Sequence, residues 1–324
     1  MKYLVIYHKE DNDGVFSGAM FYNYLIHDLN IPANEIYKFG ADYNDIKLLA
    51  NAITPKNLHE LYENIILTDI SFSTEYMIEL SNEFKEHFIW CDHHAPIIKS
   101  IKGYNNLIPG IRNTKKSAIL CAYEWLYDPF NLKYNNKELP ELLRILSAWD
   151  SFTFEQEGYE LDYVRDVNKG ITVKYDLNFK NISDLLHEII YENKSSIDIQ
   201  IYAHDFGHNI NKYDDDKFEK IILTAGDKNW KINENRDACA IFHQGSSSSL
   251  IFKILKNTIY VNGIVFKHNS DTSWTISLYN INEDDKFNCG EYLREKYNGG
   301  GHIGAAGCTI TQDQFIEILK NNKL

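Results

Sequence analysis

The chain has few cysteines, few prolines and no long apolar run. Its five cysteines are an odd number among 324 residues, and none forms a CxxC pair. They therefore predict free thiols in a reducing compartment, and neither a disulfide framework nor a zinc site. No apolar stretch approaches the roughly 20 residues of a membrane-spanning helix, and the N-terminus enters a strand-like run without a signal peptide. We expect a cytoplasmic protein without a membrane partner.

Positive charge is also scarce, since 33 Lys and Arg face 46 Asp and Glu and leave a net charge of −13. Long duplex DNA is bound through many Lys and Arg contacts to phosphate, so we exclude it as a partner. A short anionic substrate remains compatible, provided that metal ions supply local positive charge. The hydrophobic fraction of 44% in 324 residues is enough for two domains.

Acidic and imidazole side chains follow the first strand-like segment, residues 3–7. His8, Asp11 and Asp13 come directly after it, and an apolar helical pattern begins at residue 19. Asp11 and Asp13 occupy alternate positions of a tight loop, so each carboxylate could face a different metal ion. A helix N-cap is the alternative explanation, but a cap needs one acid and no histidine.

Two further apolar segments end in the same kinds of residue. Residues 64–70 contain Asp69 near their end, and the run 88–90 is followed closely by Asp92, His93 and His94. Helical patterns separate the strands, which predicts a parallel sheet with its ligand site at the carboxyl ends of the strands. A polar turn after a strand is the alternative reading of the last group.

A fourth acid, Asp150, follows a predicted helix over residues 139–149. A carboxylate at a helix C-terminus is electrostatically unfavourable, which favours a compensating cation, whereas a surface acid facing water is the alternative. Histidine with several aspartates and no cysteine suits Mn²⁺ better than Ca²⁺ or structural Zn²⁺. Two such ions would deprotonate a water and stabilise charge on phosphorus during an in-line displacement.

The C-terminal half has a different pattern. Helical periodicity continues over residues 180–213, where His204 and His208 lie one turn apart; we expect no metal site there, because no third ligand is evident. Predicted strands cover residues 221–224, 257–261, 263–267 and 274–279, and a helix is predicted over residues 245–255.

A glycine-rich segment lies close to the C-terminus. Gly299, Gly300 and Gly301 would let the backbone approach an anion closely, and His302 adds a donor. A flexible loop is the alternative.

Taken together, these motifs resemble the DHH phosphoesterases with a DHH-associated C-terminal domain, of the nanoRNase or oligoribonuclease-like type. The resemblance extends over nearly the whole chain and implies an α/β protein. A parallel-sheet DHH catalytic domain would cover residues 1–178, a helical linker residues 179–216, and a smaller α/β substrate-binding domain residues 217–324. The two domains would then enclose a short substrate.

The resemblance also implies two Mn²⁺ ions per chain, with Mg²⁺ or Co²⁺ as alternatives. His8 and Asp11 would hold one ion, and Asp69 would bridge the two. Asp13, His93 and Asp150 would hold the other ion. His94 would face the scissile phosphate while Asp92 orients His93, and Gly299, Gly300, Gly301 and His302 would bind substrate.

The implied activity is hydrolysis of short oligonucleotides to mononucleotides by a metal-activated water. A 3′-phosphoadenosine 5′-phosphate phosphatase, a cyclic dinucleotide phosphodiesterase and a non-catalytic nucleotide-binding relative remain open, and so does a homodimer. One departure is Tyr279, which stands where nuclease-type members often carry an arginine. Tyr279 could stack on a base, and Arg112 or Lys267 could supply the missing charge.

Overall fold

The structure, a computed structural model, describes residues 1–104, 106–127, 139–244, 249–256, 258–270, 272–282, 286–301 and 303–324. These residues form two compact units, Met1–Ile210 and Asn211–Leu324. The boundary falls within one long helix, Ile197–Ala225. The predicted linker, residues 179–216, therefore covers a second helix, Phe179–Ile190, and the first part of this long one.

The first unit is built on a four-stranded parallel sheet. Its strands are β1 (Tyr3–His8), β2 (Ile36–Ala41), β3 (Asn64–Thr68) and β4 (Phe88–Cys91), in the order β2-β1-β3-β4. All neighbouring pairs are parallel, so their carboxyl ends share one edge. This confirms the predicted α/β architecture and three of its strands.

Strand β2 is absent from the sequence-based prediction. Its burial is confined to the first and last residues, Ile36 and Ala41, while the residues between them are exposed or half-buried. The strand lies at the edge of the sheet, so it lacks the continuous apolar run of a strand buried on both faces.

Helices cover both faces of this sheet, because alternate residues of a strand point to opposite sides. Val5 belongs to one apolar core and Leu4 to the other. The helices of the first unit are α1 (Asn12–His27), α2 (Tyr43–Ala52), α3 (Pro55–His59), α4 (Thr74–Phe84), α5 (Ala95–Ser100), α6 (Ala118–Tyr127), α7 (Glu141–Asp150), α8 (Leu161–Tyr175) and α9 (Phe179–Ile190), followed by α10 (Ile197–Ala225), which continues into the second unit.

Helix α1 starts seven residues earlier than its apolar pattern predicts. Asp11 is its N-cap and accepts a hydrogen bond from the backbone N–H of Gly14 at 2.9 Å. A Cβ at Gly14 would lie only 2.2 Å from the carbonyl oxygen of His8. The cap and the glycine together draw the acidic loop into the first helical turn, directly against the end of β1.

The second unit contains a six-stranded mixed sheet. Its strands run in the order β5-β6-β7-β8-β10-β9, with β6 and β7 parallel and the other neighbouring pairs antiparallel. The elements are β5 (Asp227–Asn233), β6 (Arg236–Phe242), β7 (Asn262–Ser270), β8 (Ser273–Asn280), α11 (Cys289–Tyr297), β9 (Gly300–Gly301), β10 (Ala305–Thr311) and α12 (Gln312–Asn321).

Three predicted elements of this region are wrong or shifted. Residues 221–224 are helical and belong to α10. Of this apolar run only Ile222 is fully buried. Residues 258–261 form a bend and an irregular segment, and residue 257 lies outside the described residues. The helix predicted over 245–255 is a 3₁₀ helix at Ser249–Leu255, and residues 245–248 are again outside the described part.

Two predicted absences can be compared with the structure. All five cysteines are buried, and none of them is in a disulfide bond. Within the described ranges, no helix has both the length and the apolar character needed to cross a membrane.

A close helix crossing in the first unit gives a test of the packing. Gly170 on α8 is buried, and a Cβ there would lie 1.9 Å from the backbone carbonyl oxygen of Ala203 on α10. Although alanine normally favours a helix over glycine, we expect Gly170→Ala to lower the free energy of unfolding by about 1–3 kcal/mol through overpacking. Urea unfolding followed by far-UV circular dichroism measures this.

The control variant is Gly103→Ala, because nothing lies within 4 Å of the added Cβ at that position. It should leave the urea midpoint of the first unit within experimental error of the wild type. A Gly170→Ala protein as stable as the Gly103→Ala protein would contradict the close crossing.

Candidate metal centre

Acidic and imidazole side chains converge at the carboxyl edge of the first unit's sheet. Three of the four parallel strands contribute at their carboxyl ends: β1 ends at His8, β3 is followed by Asp69, and β4 is followed closely by His93. Two helices complete the cluster, with Asp13 in the first turn of α1 and Asp150 as the last residue of α7.

One potential ligand group consists of His8, Asp11 and Asp69. The Nδ1 atom of His8 lies 3.1 Å from Oδ2 of Asp11 and 3.5 Å from Oδ2 of Asp69. Because Oδ1 of Asp11 caps helix α1 through Gly14, its second oxygen is fixed toward the imidazole. The N-cap and the potential ligand are therefore two oxygens of one carboxylate.

A second group consists of Asp13, His93 and Asp150. The Nε2 atom of His93 lies 3.7 Å from Asp13 Oδ2 and 3.5 Å from Asp150 Oδ2. Asp13 is anchored at the start of α6, where it accepts hydrogen bonds from the backbone N–H groups of Ala118 at 2.7 Å and Ile119 at 2.8 Å. A helix N-terminus stabilises such a carboxylate.

Asp69 faces both groups. Its Oδ2 atom is 3.5 Å from His8 Nδ1, and its Oδ1 atom is 3.3 Å from His93 Nε2. The residue has a left-handed backbone with φ of 58°, and its N–H donates to the carbonyl oxygen of Cys91. Aspartate tolerates this conformation better than most residues, and the turn directs its carboxylate across the end of the sheet.

His94 forms a third group with Asp69 and His93, and its ring is fixed by Asp92. Asp92 Oδ1 lies 2.7 Å from His94 Nδ1 and accepts the backbone N–H of both His93 and His94. Its Oδ2 accepts from Trp90 Nε1 at 3.2 Å. The expectation that Asp92 orients the His93 ring is therefore corrected, since the ring that it holds is that of His94.

The protein itself does not neutralise the negative charge of these closely spaced carboxylates. Burial, followed by the charge of Asp69, raises the pKa of Asp150 to about 7. Burial, together with Asp150 and Asp69, raises the pKa of Asp13 well above its usual range. Asp69 Oδ1 and Asp150 Oδ2 are buried without a hydrogen-bond partner.

The histidines respond to the same negative charge. Burial alone would lower the pKa of His8, but hydrogen bonds and charges from Asp11 and Asp69 outweigh it and raise the pKa to about 10. Burial likewise opposes protonation of His94, yet Asp92 and Asp69 raise its pKa to about 9. The cluster attracts positive charge.

These observations fit divalent cations. Within the described residues, no lysine or arginine pairs with His8, Asp11, Asp13, Asp69, His93 or Asp150. Unpaired buried carboxylates are costly unless they coordinate a metal. Carboxylate oxygens with imidazole nitrogens and no thiolate form a donor set that suits Mn²⁺.

The glycine-rich segment belongs to the second unit. Gly299 follows the left-handed C-cap of α11, Asn298, and Gly300 and Gly301 form the short strand β9. A Cβ at Gly300 would meet nothing within 4 Å, whereas Gly301 has φ of 142°, a conformation that other residues rarely adopt. His302 lies outside the described residues.

The structure corrects the roles suggested for Tyr279 and Arg112. Tyr279 is 8% exposed and packs near Phe252 within an apolar cluster, so it is not available to stack on a base. Arg112 donates to the backbone carbonyl oxygens of Trp90, Pro109 and Ile108 and fastens that loop. Lys267 is an exposed residue of β7 in the second unit.

Two features of the first unit escaped sequence reasoning. His204 and His208 do meet a third group, Asp166 of α8, whose Oδ2 is 3.9 Å and 2.9 Å from their nitrogens. Tyr43, directly after β2, lies beside the cluster, and burial followed by the charges of Asp92, Asp69 and Asp11 raises its pKa. Recognising β2 as a strand would have placed Tyr43 at the same sheet edge.

Comparison with solved structures identifies the fold of the chain. No family model and no curated protein matches the sequence. The DHH domain of a protein assigned to a ribosomal-protein family is 14% identical with a TM-score of 0.59, covering 99% of this chain and 85% of that one. The pGpG-specific phosphodiesterase PggH from Vibrio cholerae is 14% identical with a TM-score of 0.52, covering 99% and 97%.

A third solved structure, exonuclease RecJ bound to manganese, is 14% identical with a TM-score of 0.50 and covers 99% of this chain and 89% of that one. At such low sequence identity the structural similarity shows the fold alone. The chain therefore has the fold of the DHH-domain proteins, which is the fold that the order of its motifs predicts.

The raised pKa of Asp150 predicts an unusual pH dependence for the metal-free protein. A carboxyl group with a folded-state pKa near 7 and an unfolded one near 4 binds more protons when folded, so stability falls as pH rises between those values. At pH 8 without metal, Asp150→Asn should raise the melting temperature by several degrees, as about 1 kcal/mol corresponds to ~2–4 °C at this size. Calorimetry in chelator measures this.

The gain should be largely lost near about pH 3, where Asp150 is mostly protonated in both the folded and the unfolded state. Asp184→Asn is the control, because that acid is exposed and paired with Lys180 on α9; it should show no pH-dependent gain. An Asp150→Asn protein that melts no higher than the wild type at pH 8 would show that Asp150 is not destabilised by its neighbours.

Proposed function

We propose that this protein is a Mn²⁺-dependent phosphodiesterase that hydrolyses short oligonucleotides to mononucleotides. The observation that carries the proposal is the position of Asp69, whose two oxygens face two separate ligand groups. A carboxylate with this placement suits a pair of ions held close together, the arrangement used for in-line attack on phosphorus.

The solved relatives support the same class of reaction. PggH is described as a pGpG-specific phosphodiesterase and RecJ as an exonuclease that binds manganese. The dinucleotide substrate named for PggH agrees with an acidic chain that disfavours long polymers. All six proposed ligand positions are present, which counts against a non-catalytic relative.

In this proposal His8 and Asp11 would hold one ion, Asp13, His93 and Asp150 would hold the other, and Asp69, which faces both groups, would serve both. When bound, the ions would lower the pKa of a water and neutralise charge on the phosphoryl group. Asp13 and Asp11 keep their positions through backbone N–H groups of α6 and α1, so the ligands are oriented before the ions bind.

His94 would contact the scissile phosphate. Its Nδ1 donates to Asp92, which leaves Nε2 as the nitrogen for the substrate. Asp92 and Asp69 raise the pKa of His94 in the metal-free protein, so a proton at Nε2 could be donated to a phosphate oxygen or to the leaving group. Asp92 acts as the positioning residue for that ring.

The glycine segment of the second unit is proposed to bind the substrate as well. Gly299, Gly300 and Gly301 allow close approach of a nucleotide phosphate to backbone N–H groups, and His302 would add a donor.

The first test is hydrolysis of 5′-labelled oligoribonucleotides, from the dimer to long oligomers, with Mn²⁺ and with chelator. We expect rapid cleavage of the dimer, decline with length, and no cleavage in chelator. Cleavage that persists on long strands would contradict the length limit. No cleavage at any length would reject the activity and bring 3′-phosphoadenosine 5′-phosphate and cyclic dinucleotides forward as substrates.

Asp69→Asn tests the bridging carboxylate. Asparagine tolerates the left-handed backbone of this position, so the protein should fold while losing the charge between the two ligand groups. We expect fewer than two Mn²⁺ per chain by equilibrium dialysis and at least about a hundredfold lower hydrolysis of the dinucleotide.

The matched control is Asp176→Asn, a second aspartate with a left-handed backbone, which ends helix α8. It should bind two Mn²⁺ and turn over at the wild-type rate. An Asp69→Asn enzyme with full Mn²⁺ content and full turnover would overturn the two-metal arrangement.

A further inference from the structure

One aromatic side chain beside the cluster is not part of any ligand group. Tyr43 is the first residue of α2 and is about half exposed. Its backbone is fixed by the capping box of Asp42, which accepts hydrogen bonds from the N–H groups of Asn44 and Asp45. The ring therefore projects from a rigid turn at the carboxyl end of β2.

The ring lies against two histidines of the site. Its centroid is 6.0 Å from that of His8 and 6.4 Å from that of His94, and it meets the His94 ring edge-on at 87°. Those contacts hold the ring, while the hydroxyl group has no hydrogen-bond partner among the described residues. A half-exposed phenol with a free donor thus lies next to the imidazole that is proposed to face the phosphate.

Phosphate is usually bound by lysine or arginine side chains, but among the described residues none of these pairs with the acids and histidines of the two ligand groups. Lys9 lies in the same loop as His8, but Asp42 and Asp45 hold its ammonium group. Arg112 is occupied by backbone carbonyl oxygens. A phenol is protonated at neutral pH and can donate a hydrogen bond without adding charge. Tyr43 is therefore suited to contact a phosphate where a lysine or arginine would usually bind it.

We propose that the Tyr43 hydroxyl donates a hydrogen bond to a non-bridging oxygen of the nucleotide phosphate at this site. The inference rests on the proposed function for the identity of the ligand and adds a substrate-contacting residue that no motif contains. It also accounts for the free hydroxyl at the site edge. Stacking of the Tyr43 ring on a base is the alternative contact. A hydrogen bond would be lost in Tyr43→Phe, whereas stacking would be lost only in Tyr43→Ala.

The test compares Tyr43→Phe with the wild type as full-length, Mn²⁺-loaded protein. Phenylalanine keeps the ring between the two histidines and removes only the donor. Calorimetric titration with 5′-AMP, a product of the proposed reaction, should show about tenfold weaker binding, because hydrogen bonds to charged groups are among the stronger ones. The Mn²⁺ content should remain that of the wild type.

Tyr37→Phe is the matched control. Tyr37 lies on the same strand, β2, is 42% exposed, and packs edge-on against Tyr62 with 5.2 Å between ring centroids. Its hydroxyl group is also unpaired among the described residues, yet it lies at the start of the strand. Its removal should leave 5′-AMP binding unchanged.

The outcomes separate this inference from the proposed function. Wild-type affinity for 5′-AMP in Tyr43→Phe would overturn the hydrogen bond, and a loss confined to Tyr43→Ala would assign the contact to ring stacking. If the wild type binds 5′-AMP more tightly than Tyr43→Phe but cleaves no oligonucleotide, the inference stands and the function fails. A Mn²⁺-loaded wild type that does not bind 5′-AMP would overturn the inference, whereas the proposed function would still be decided by cleavage of the oligonucleotides.

Discussion

Repulsion among buried carboxylates is the constraint on which the first unit depends. Burial removes the water that would screen their charges, Asp150 and Asp69 raise the pKa of Asp13, and Asp69 raises the pKa of Asp150. The fold counters this with backbone dipoles: Asp13 binds the start of α6, Asp11 caps α1, and Asp92 accepts two successive N–H groups. These bonds fix the acids in position but do not neutralise them, and the remaining negative charge is what a cation would meet.

The parallel sheet determines where this charge collects. Strands that run in one direction place their following loops at one edge, so residues separated by many positions in sequence become neighbours. His8 and His93 illustrate this, because both contact Asp69 although they follow different strands. The strained left-handed turn at Asp69 is tolerated because its N–H bonds to the neighbouring strand.

The sequence predicts the centre of the first unit well, and the reasons are local. An apolar run that stops at an acid or imidazole reveals both a buried strand and its functional end, as at Thr68–Asp69 and Cys91–Asp92. Pairing between side chains is harder to foresee, so the partner of Asp92 was assigned to the wrong histidine. Strand β2 was missed because an edge strand carries a weak pattern. The apolar run at residues 221–224 was misread because four residues do not distinguish a helix from a strand.

The proposed ligands come from four separated stretches of chain, and the last of them is the final residue of helix α7. Consequently, a partly folded intermediate that lacks α7 would lack Asp150 as a ligand for one of the two proposed ions. Metal binding would follow the folding of the first unit. The newly folded protein would then pass through a metal-free state that is destabilised by repulsion among its own carboxylates. Ion binding would then act as the last, kinetically separate step of maturation, stabilising the native state according to the free metal concentration.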